Sequence, residues 1–431
     1  DGWLVAGLNS TTSYATLGTT NTLLHWLIKM GEALSVGVVI LGGAYNGAQD
    51  YKKVGRVVAD SFWLTTIIGA LFAASIFFGA YWIYFWYGVP EHMIHLGVPY
   101  LRLRAVSILL MFWYFAIVGF LRAIKNTKTP MYIFSIGAIV FVLADYALIF
   151  GKYGCPECGF NGSAWATVIQ YALMLALSLI YIFYNPECKK YAISLFSHIA
   201  DWEDARRLLQ LSWPVVIDKS TMALAYIWLG GMINHLGEAS IASYHVIKDM
   251  ERFAFLPAIA FAQVATLLVS NDYGAGDWRA IKSTIKKIML MASLGVGLIL
   301  ILFSAFPTYI ISFFDPEGSF TTFSAIIFPA LSVLVFFDLL QLILAAALRG
   351  VGNVRLVMLT RLAICGLYFF PIAYYIAQAP IESALIKFYL LYSSFYIGNG
   401  LMCIVYLYQF RSGKWKESDI LSEDSDVKIN A

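Results

Sequence analysis

Acidic residues inside long apolar segments are the residues of this sequence best placed to do chemistry. Asp338 has Gln341 one turn further along its segment and no basic residue within a turn on the same predicted helix. A carboxylate in hydrocarbon needs a partner, a proton or a cation, because its charge cannot stay unpaired there. We therefore predict that Asp338 carries a proton or a sodium ion. Asp145 stands six residues before the end of another apolar segment, where an ordinary interfacial acid is the alternative.

A polar stripe runs along the first apolar segment. Asn21, His25, Lys29 and Glu32 follow one another at spacings of four, four and three residues, which place them on one face of a helix. One interpretation is the wall of a polar cavity, with Glu32 as an acid that can take up a proton. The alternative is a Lys29–Glu32 pair whose charges satisfy each other and specify helix packing.

The second half of the chain carries a comparable stripe. His245, Asp249 and Arg252 are spaced by four and three residues, so this face too is predicted to line a polar cavity, with pairing at the membrane interface as the alternative. Asp218 and Lys219 are neighbours in the sequence and cannot share a helix face. We therefore expect each of them to find its partner on another helix.

Eleven apolar segments must position these residues. Hydrophobic residues make up 60% of the 431 residues and charged residues 13%, which excludes an ordinary soluble protein. About 20 apolar residues cross a bilayer as a helix, whereas a membrane β-barrel needs shorter alternating segments, which the sequence lacks. The predicted spans are residues 14–44, 57–87, 93–121, 130–151, 162–184, 208–235, 240–271, 284–314, 320–348, 354–378 and 381–410.

Lysine and arginine are concentrated in every second loop between these spans, and the intervening loops contain only Lys152. Basic loops stay on the cytoplasmic side of a membrane, so the C-terminus is predicted to be cytoplasmic. Four prolines are expected to bend their helices, because each removes a backbone hydrogen bond. They are Pro214, Pro257, Pro329 and Pro371.

Two short motifs recur at the same distance and indicate that the chain is duplicated. The basic turn at 121–126, which begins Leu-Arg-Ala, is followed 227 positions later by one at 348–353, which begins Leu-Arg-Gly. A turn at 46–52 is followed at the same distance by one at 273–279. Two anchors at one offset predict two halves with the same fold. We place the first half with a cytoplasmic connector at 1–200, the second half at 201–410 and a cytoplasmic tail at 411–431.

Six motifs, three in each half, are typical of one family of membrane proteins. The first half carries Leu-Arg-Ala at 121–123, Asp-Tyr-Ala-Leu-Ile-Phe-Gly at 145–151 and a glycine- and alanine-rich run at 159–167. The second half carries Gly-Ala-Gly at 274–276, Phe-Asp-Pro-Glu at 314–317 and Leu-Arg-Gly at 348–350. In order and spacing these motifs resemble the multidrug and toxic compound extrusion (MATE) family, over essentially the whole chain.

The resemblance implies an all-α integral membrane protein with twelve helices in two six-helix bundles, related by a pseudo-twofold axis. The eleven spans would be helices two to twelve, with Asp1 near the end of a helix one that is mostly missing from this sequence. A central cleft would open alternately to either side of the membrane. Inward proton or sodium gradients would drive the export of drugs.

The resemblance also implies site residues in both halves. Asp1 and Asp145 match a pair of ion-linked acids used in some branches, and Asp338 matches a helix-ten acid used in another. That other branch also uses a helix-seven acid where this sequence has Met222, and Asp218, one turn earlier, is the candidate substitute. The predicted ion-coupling residues are Asp338, Asp145, Asp1 and Glu32. The predicted substrate cleft contains Asn21, His25, Lys29, His245, Asp249, Arg252, Gln341 and Asp218.

We therefore expect a secondary-active exporter of small amphipathic or cationic drugs in the inner (plasma) membrane. It is expected to be a monomer embedded in the lipid bilayer, with a proton or sodium ion for coupling, no other cofactor and no nucleic-acid partner. The nearest alternative is a lipid-linked saccharide flippase of the same superfamily. A cleft for a diphosphate headgroup should be rich in arginine and lysine at bilayer depth, whereas here the acids are at least as numerous.

An intramembrane enzyme is a less favoured alternative. It would need a histidine beside an acid or nucleophile at a membrane face, and His92, His95, His198 and His235 form no such arrangement. The five cysteines lack the spacing of a metal site. Cys155 and Cys158 form a CxxC in a loop, where two unrelated thiols are favoured over a disulfide.

Overall fold

The fold is built from helices. The computed structural model describes residues 4–5, 10–86, 88–195, 202–312, 315 and 320–417, and no β-strand occurs among them. The helices of the first half are α1 (Thr11–Gly47), α2 (Tyr51–Trp86), α3 (Glu91–Ala123), α4 (Lys128–Phe150), α5 (Phe160–Tyr184) and α6 (Pro186–Lys189). Those that follow are α7 (Trp202–Asn234), α8 (Glu238–Ala254), α9 (Leu256–Gly274), α10 (Trp278–Ala305), α11 (Pro307–Ser312), α12 (Thr321–Gly350), α13 (Val354–Ile364), α14 (Phe370–Gln378) and α15 (Ala384–Ser412). The π-helix Cys365–Phe369 joins α13 to α14, and the 3₁₀ helix Lys414–Glu417 follows α15.

Every predicted span falls on one or more of these helices, which confirms the all-helical membrane class. Among the described residues, nine helical stretches are long and apolar enough to cross a membrane, and the number is ten if α8 and α9, which are bent by 48°, count as one span. Helix α7 is not in this set although it has 33 residues. The adjacent charges of Asp218 and Lys219 lower the hydropathy at its centre.

One of the four predicted proline bends coincides with a break. Pro257 is the second residue of α9, directly after the 48° bend. It therefore lies in the first turn of a new helix, where its missing N–H leaves no partner unsatisfied. Pro371 follows the π-helix inside the continuous helical span Val354–Gln378, and Pro214 and Pro329 lie inside α7 and α12, which continue through them.

Two compact units make up the chain, Asp1–Trp213 and Pro214–Ala431, and the boundary lies inside α7. In the first unit, α3 packs against α1, α2 and α5. Leu24 of α1 and Met111 of α3 belong to one apolar cluster there, and each is 2% exposed. The interior of the first unit is therefore apolar at this place.

Left-handed turn residues occur at matching places in the two units. After α1 the left-handed residue is Gln49 (φ 63°), and 227 positions later, after α9, it is Gly276 (φ 69°). After α3 it is Lys125 (φ 64°), and 227 positions later, after α12, it is Gly352 (φ 81°). A side chain in this region of backbone conformation is strained, whereas glycine is not. The turns therefore match in shape although the residues differ.

An aromatic pair closes the same corner of each unit. In the first unit Tyr191, which follows α6, packs edge-on against Tyr51 at the start of α2, with ring centroids 5.5 Å apart. In the second unit Trp415, which follows α15, packs against Trp278 at the start of α10, with centroids 5.6 Å apart. Tyr51 and Trp278 stand 227 positions apart. The two units therefore place an aromatic contact at the start of the corresponding helix.

Candidate functional site

Asp338 lies near the middle of α12 and is buried, with 6% of its surface exposed. The Asn399 side-chain amide, from α15, donates a hydrogen bond of 3.1 Å to Asp338 Oδ1. Among the described residues no ammonium or guanidinium group forms an ion pair with this carboxyl. The predicted burial of Asp338 is thus observed, and its polar contact is an amide rather than a cation.

A second buried acid, Glu251, lies in the last turn of α8 and is 7% exposed. The Tyr392 hydroxyl donates a hydrogen bond of 2.9 Å to Glu251 Oε2, and the Tyr396 hydroxyl lies next to the same carboxyl. Glu251 and Asp338 are near enough for their charges to interact. The second unit therefore brings two carboxyls together in its interior.

Sequence reasoning missed Glu251 because the charges beside it stand out more. A signal was present: Tyr244, Ile247 and Glu251 are spaced by three and four residues and share the buried face of α8. An acid on the apolar face of an amphipathic helix is unusual, and this position could have singled out Glu251 as a candidate. By contrast, His245 and Asp249 lie on the exposed face.

The predicted stripe His245, Asp249 and Arg252 is exposed along its whole length. Lys248, between them, is half-buried, and its ammonium lies 4.8 Å from the ring centre of Tyr226. The structure therefore separates the stripe from the buried carboxyl of Glu251 on the same helix. Its role in a substrate cleft stays a prediction.

Gln341, one turn after Asp338, is 1% exposed. Neither atom of its amide makes a hydrogen bond within the described part of the chain, although the Tyr406 hydroxyl is close by. The carbonyl oxygen of this amide and the two carboxyls form a set of buried oxygen atoms. Such a set can hold a proton between carboxyls or offer ligands to a small hard cation.

Asp218 has a different environment, a buried ion triad. Arg349 of α12 donates a hydrogen bond of 2.5 Å from Nη2 to Asp218 Oδ2, and Arg361 of α13 donates from Nε to Oδ1. The side chains of Asp218 and Arg361 are each 3% exposed. The expectation that Asp218 finds partners on other helices is confirmed. Its carboxylate links three helices, whereas that of Asp338 is paired with no cation.

In the first unit, Lys29 and Glu32 pair with each other. The Lys29 ammonium lies 3.1 Å from Glu32 Oε2 and 3.2 Å from Oε1. The side chains are 41% and 35% exposed, and His25 is exposed as well. Asn21 is half-buried. The structure forms the predicted pair and leaves the stripe on an open face, so the cavity interpretation stays a prediction.

Asp145 of α4 is fully buried, in the interior of the first unit. Ser163 of α5 lies within hydrogen-bonding reach of its carboxyl, and the Arg104 guanidinium of α3 is near enough for the charges to interact. Arg104 in turn donates a hydrogen bond of 2.6 Å from Nη1 to Thr167 Oγ1. Asp145 therefore lies inside a three-helix polar cluster. Asp1, its predicted companion, lies outside the described residues.

Cysteines supply no further candidate. Cys155 and Cys158 are free thiols, as favoured from the sequence. Among the described residues, no group of three or more His, Cys, Asp or Glu side chains could hold a metal ion.

The sequence profile of the MatE family matches residues 1–147 and 214–375, well over half of the chain. The chain belongs to the MATE family. This MATE protein is 26% identical over 337 residues to "Probable multidrug resistance protein YoeA" of Bacillus subtilis (strain 168), covering 77% of this chain and 71% of that protein. It is 25% identical over 334 residues to "Probable multidrug resistance protein NorM" of Agrobacterium fabrum, covering 76% and 71%.

Solved structures show the same fold. A crystal structure of a MATE protein in the bent conformation superposes with a TM-score of 0.87 at 17% identity, covering 96% of this chain and 91% of that one. An outward-facing multidrug resistance MATE transporter of the MOP superfamily gives 0.86 at 17% identity, covering 97% and 91%. The family and fold expected from the sequence motifs are thereby confirmed, and the chain is a multi-pass membrane protein.

Proposed function

We propose that this MATE protein is a secondary-active exporter of small amphipathic or cationic drugs. Its relatives in Bacillus subtilis and Agrobacterium fabrum carry the name of probable multidrug resistance proteins. Antiport against protons or sodium requires a group inside the membrane that binds the ion in one state and releases it in another. The buried carboxyl pair of Glu251 and Asp338 is the observation that carries this proposal.

In this proposal Glu251 supplies the second acid of the coupling site. Met222 occupies the place where a related branch has its helix-seven acid, and Asp218 is already held by two arginines. Repulsion between two buried carboxylates favours the uptake of a proton or a cation by one of them. Binding of one proton or one sodium ion would therefore relieve the repulsion, and binding of a cationic drug would compete for the same charge.

The orientation and setting belong to the same proposal. The basic loops lie on the cytoplasmic side, so the C-terminus is cytoplasmic and the protein lies in the plasma membrane, the inner membrane of a bacterial cell. The protein acts as a monomer, with a proton or sodium ion as coupling ion, no other cofactor and no nucleic-acid partner. The lipid-linked saccharide flippase, whose cleft would be basic, is the less favoured alternative.

The test is export of a fluorescent organic cation from proteoliposomes under a proton gradient or a sodium gradient imposed separately. Asp338→Asn and Glu251→Gln remove the buried charges, and Glu238→Gln, an exposed acid at the start of the same helix α8, is the matched control. We expect export driven by one gradient, lost in both buried variants and kept in the control. Export driven by neither gradient with a folded protein would reject the exporter, and a headgroup-flipping assay would follow.

Export that survives Glu251→Gln but not Asp338→Asn would leave the exporter standing and remove Glu251 from the coupling site. Asp145→Asn, in the first unit, tests in the same assay which of the two units carries ion coupling. Loss in Asp145→Asn alone would place coupling in the first unit.

A further inference from the structure

An open cavity of about 740 Å³ lies in the first unit, where α3 ends, α4 begins and α5 meets α6. Its volume falls within the range of roughly 300–1,000 Å³ that small-molecule sites have. Lys125, Lys128 and Lys190 line it, and Glu187 is the one acid among its lining residues. The lining therefore carries a net charge of two positive units (three lysines less one glutamate).

Neutral donors accompany the lysines. The Asn126 side-chain amide donates to Thr129 Oγ1 at 3.0 Å and to Tyr181 Oη at 2.9 Å, and Asn126 Oδ1 accepts from the Thr129 backbone N–H at 3.1 Å. A hydroxyl that accepts in this way keeps its own hydrogen for another acceptor. Thr129 and Tyr181 therefore add hydroxyl donors to the cavity. Ammonium groups and hydroxyl donors together are the complement of a phosphate.

Two of the lysines have features that set them apart. Lys125 has a left-handed backbone (φ 64°) where the second unit has Gly352, so the chain places an ammonium at a position that glycine occupies without strain. The Lys190 ammonium lies 4.5 Å from the ring centre of Tyr51 and 5.0 Å from that of Tyr191. A cation held between aromatic rings loses less freedom on binding an anion.

Exposed aromatic residues flank the cavity on the membrane-spanning helices. Tyr132 of α4 is 60% exposed, and Phe183 and Tyr184 at the end of α5 are 47% and 80% exposed. Such side chains mark the depth of lipid headgroups. A phosphate that reaches this cavity therefore comes most directly from the surrounding lipid.

We infer that this cavity binds the phosphate of an anionic phospholipid headgroup. The inference is independent of drug export, because it uses residues of the first unit that take no part in the proposed coupling site. Basic pockets at the ends of membrane helices have the charge and depth to select anionic lipids.

The experiment titrates the purified full chain in detergent with phosphatidylglycerol, phosphatidylcholine or inorganic phosphate and counts bound molecules by native mass spectrometry. The variants are Lys125→Gly, Lys128→Gln and Lys190→Gln. The control is the triple variant of Lys282, Lys286 and Lys287 to glutamine, which removes three exposed cations from α10, outside the cavity. We expect phosphatidylglycerol to bind best, and each cavity variant to weaken it roughly five-fold while the control leaves it unchanged.

Equal binding of phosphatidylglycerol and phosphatidylcholine, or an equal loss in the α10 control, would overturn the inference. Inorganic phosphate that binds as tightly as phosphatidylglycerol would assign the cavity to free phosphate instead. Lys125→Gly restores the residue type of the matching turn, so a folding failure is not expected there. If thermal unfolding shows that this variant is nevertheless destabilised, Lys190→Gln decides the outcome.

Discussion

The interiors of the two units differ at corresponding positions. In the second unit Glu251 and Asp338 place carboxyls inside the helical packing, whereas the residues 227 positions earlier are Leu24 and Met111, which lie in one apolar cluster. All four side chains are buried. The turns and the aromatic corners, by contrast, match between the units. The two units therefore share their turns and aromatic contacts but differ in the side chains that they bury at corresponding positions.

The first unit has charges of its own, at other places. Asp145, Arg104 and Thr167 join α4, α3 and α5. The Asp145 carboxyl has Ser163 within reach, and the charge of Arg104 is near enough to act on it. Asp338 and Glu251 also have a cation near enough to act on them, Arg361 and Lys248, but their two carboxyls act on each other as well. Repulsion between two buried carboxylates favours the uptake of a proton or a cation. The comparison thus favours the second unit as the coupling unit.

The largest expected effect comes from giving the second unit the residues of the first. In the double variant Glu251→Leu with Asp338→Met, gradient-driven export should fall to the level of empty liposomes, because both carboxyls of the proposed coupling site are gone. Binding of a cationic drug, measured by quenching of tryptophan fluorescence, should weaken as well, because the drug competes for the same charge. Gradient-driven export by the folded double variant would contradict the assignment of coupling to this pair.

Removal of one arginine from the triad should be the largest effect on stability. Arg361→Met leaves Asp218 with one guanidinium, and breaking a buried ion pair in this way costs about 3–5 kcal/mol. Thermal unfolding in detergent measures the loss. Asp218→Asn combined with Arg361→Met should recover part of it, because the buried carboxylate is removed with its partner. No recovery would mean that the triad acts through packing rather than charge.

The reverse exchange tests the apolar core. Met111→Asp should destabilise the first unit by about 3 kcal/mol, because the new acid has to be buried in a cluster of apolar side chains. Met111→Leu keeps the volume and is the control, with an expected cost below about 1.5 kcal/mol. The same unfolding measurement compares the two. Equal stability of Met111→Asp and Met111→Leu would show that the core tolerates an acid as readily as the second unit does.

The smallest effects are expected at the left-handed turns. Gly276→Gln should cost about 1–2 kcal/mol, because a side chain is strained at this backbone conformation. Gln49→Gly at the matching turn relieves that strain but loosens the unfolded chain, so its net effect should be smaller. Unfolding temperatures of the two variants give the difference. A loss in Gln49→Gly as large as that in Gly276→Gln would show that the Gln49 side chain stabilises the turn.

The sequence was sufficient for features that depend on local pattern and repetition. The spans follow from runs of apolar residues, and the duplication follows from two motifs at one offset. Asp338 could be singled out because no basic residue lies within a turn of it on its own helix. These features need no knowledge of which helices touch.

Features that depend on which helices pack against each other could not be predicted from the sequence. Which face of α8 is buried decides between Asp249 and Glu251, and that choice is made by packing against α12 and α15. Likewise, Asp218 meets Arg361, which lies 143 positions later. The π-helix at Cys365–Phe369 was not predicted either. A π-helix adds one residue to a single turn, and this change is too small to alter the pattern of apolar residues along the sequence.

The bend between α8 and α9 determines how far each part of α8 would move if the helix rotated about it. Glu251 stands four residues before the break at Phe255, while the far end of α8 is about 25 Å away along the helix axis. A rotation of α8 by roughly 10° about this pivot would carry its far end about 4 Å and Glu251 only about 1 Å. The carboxyl pair would stay assembled while the other end of the helix swings.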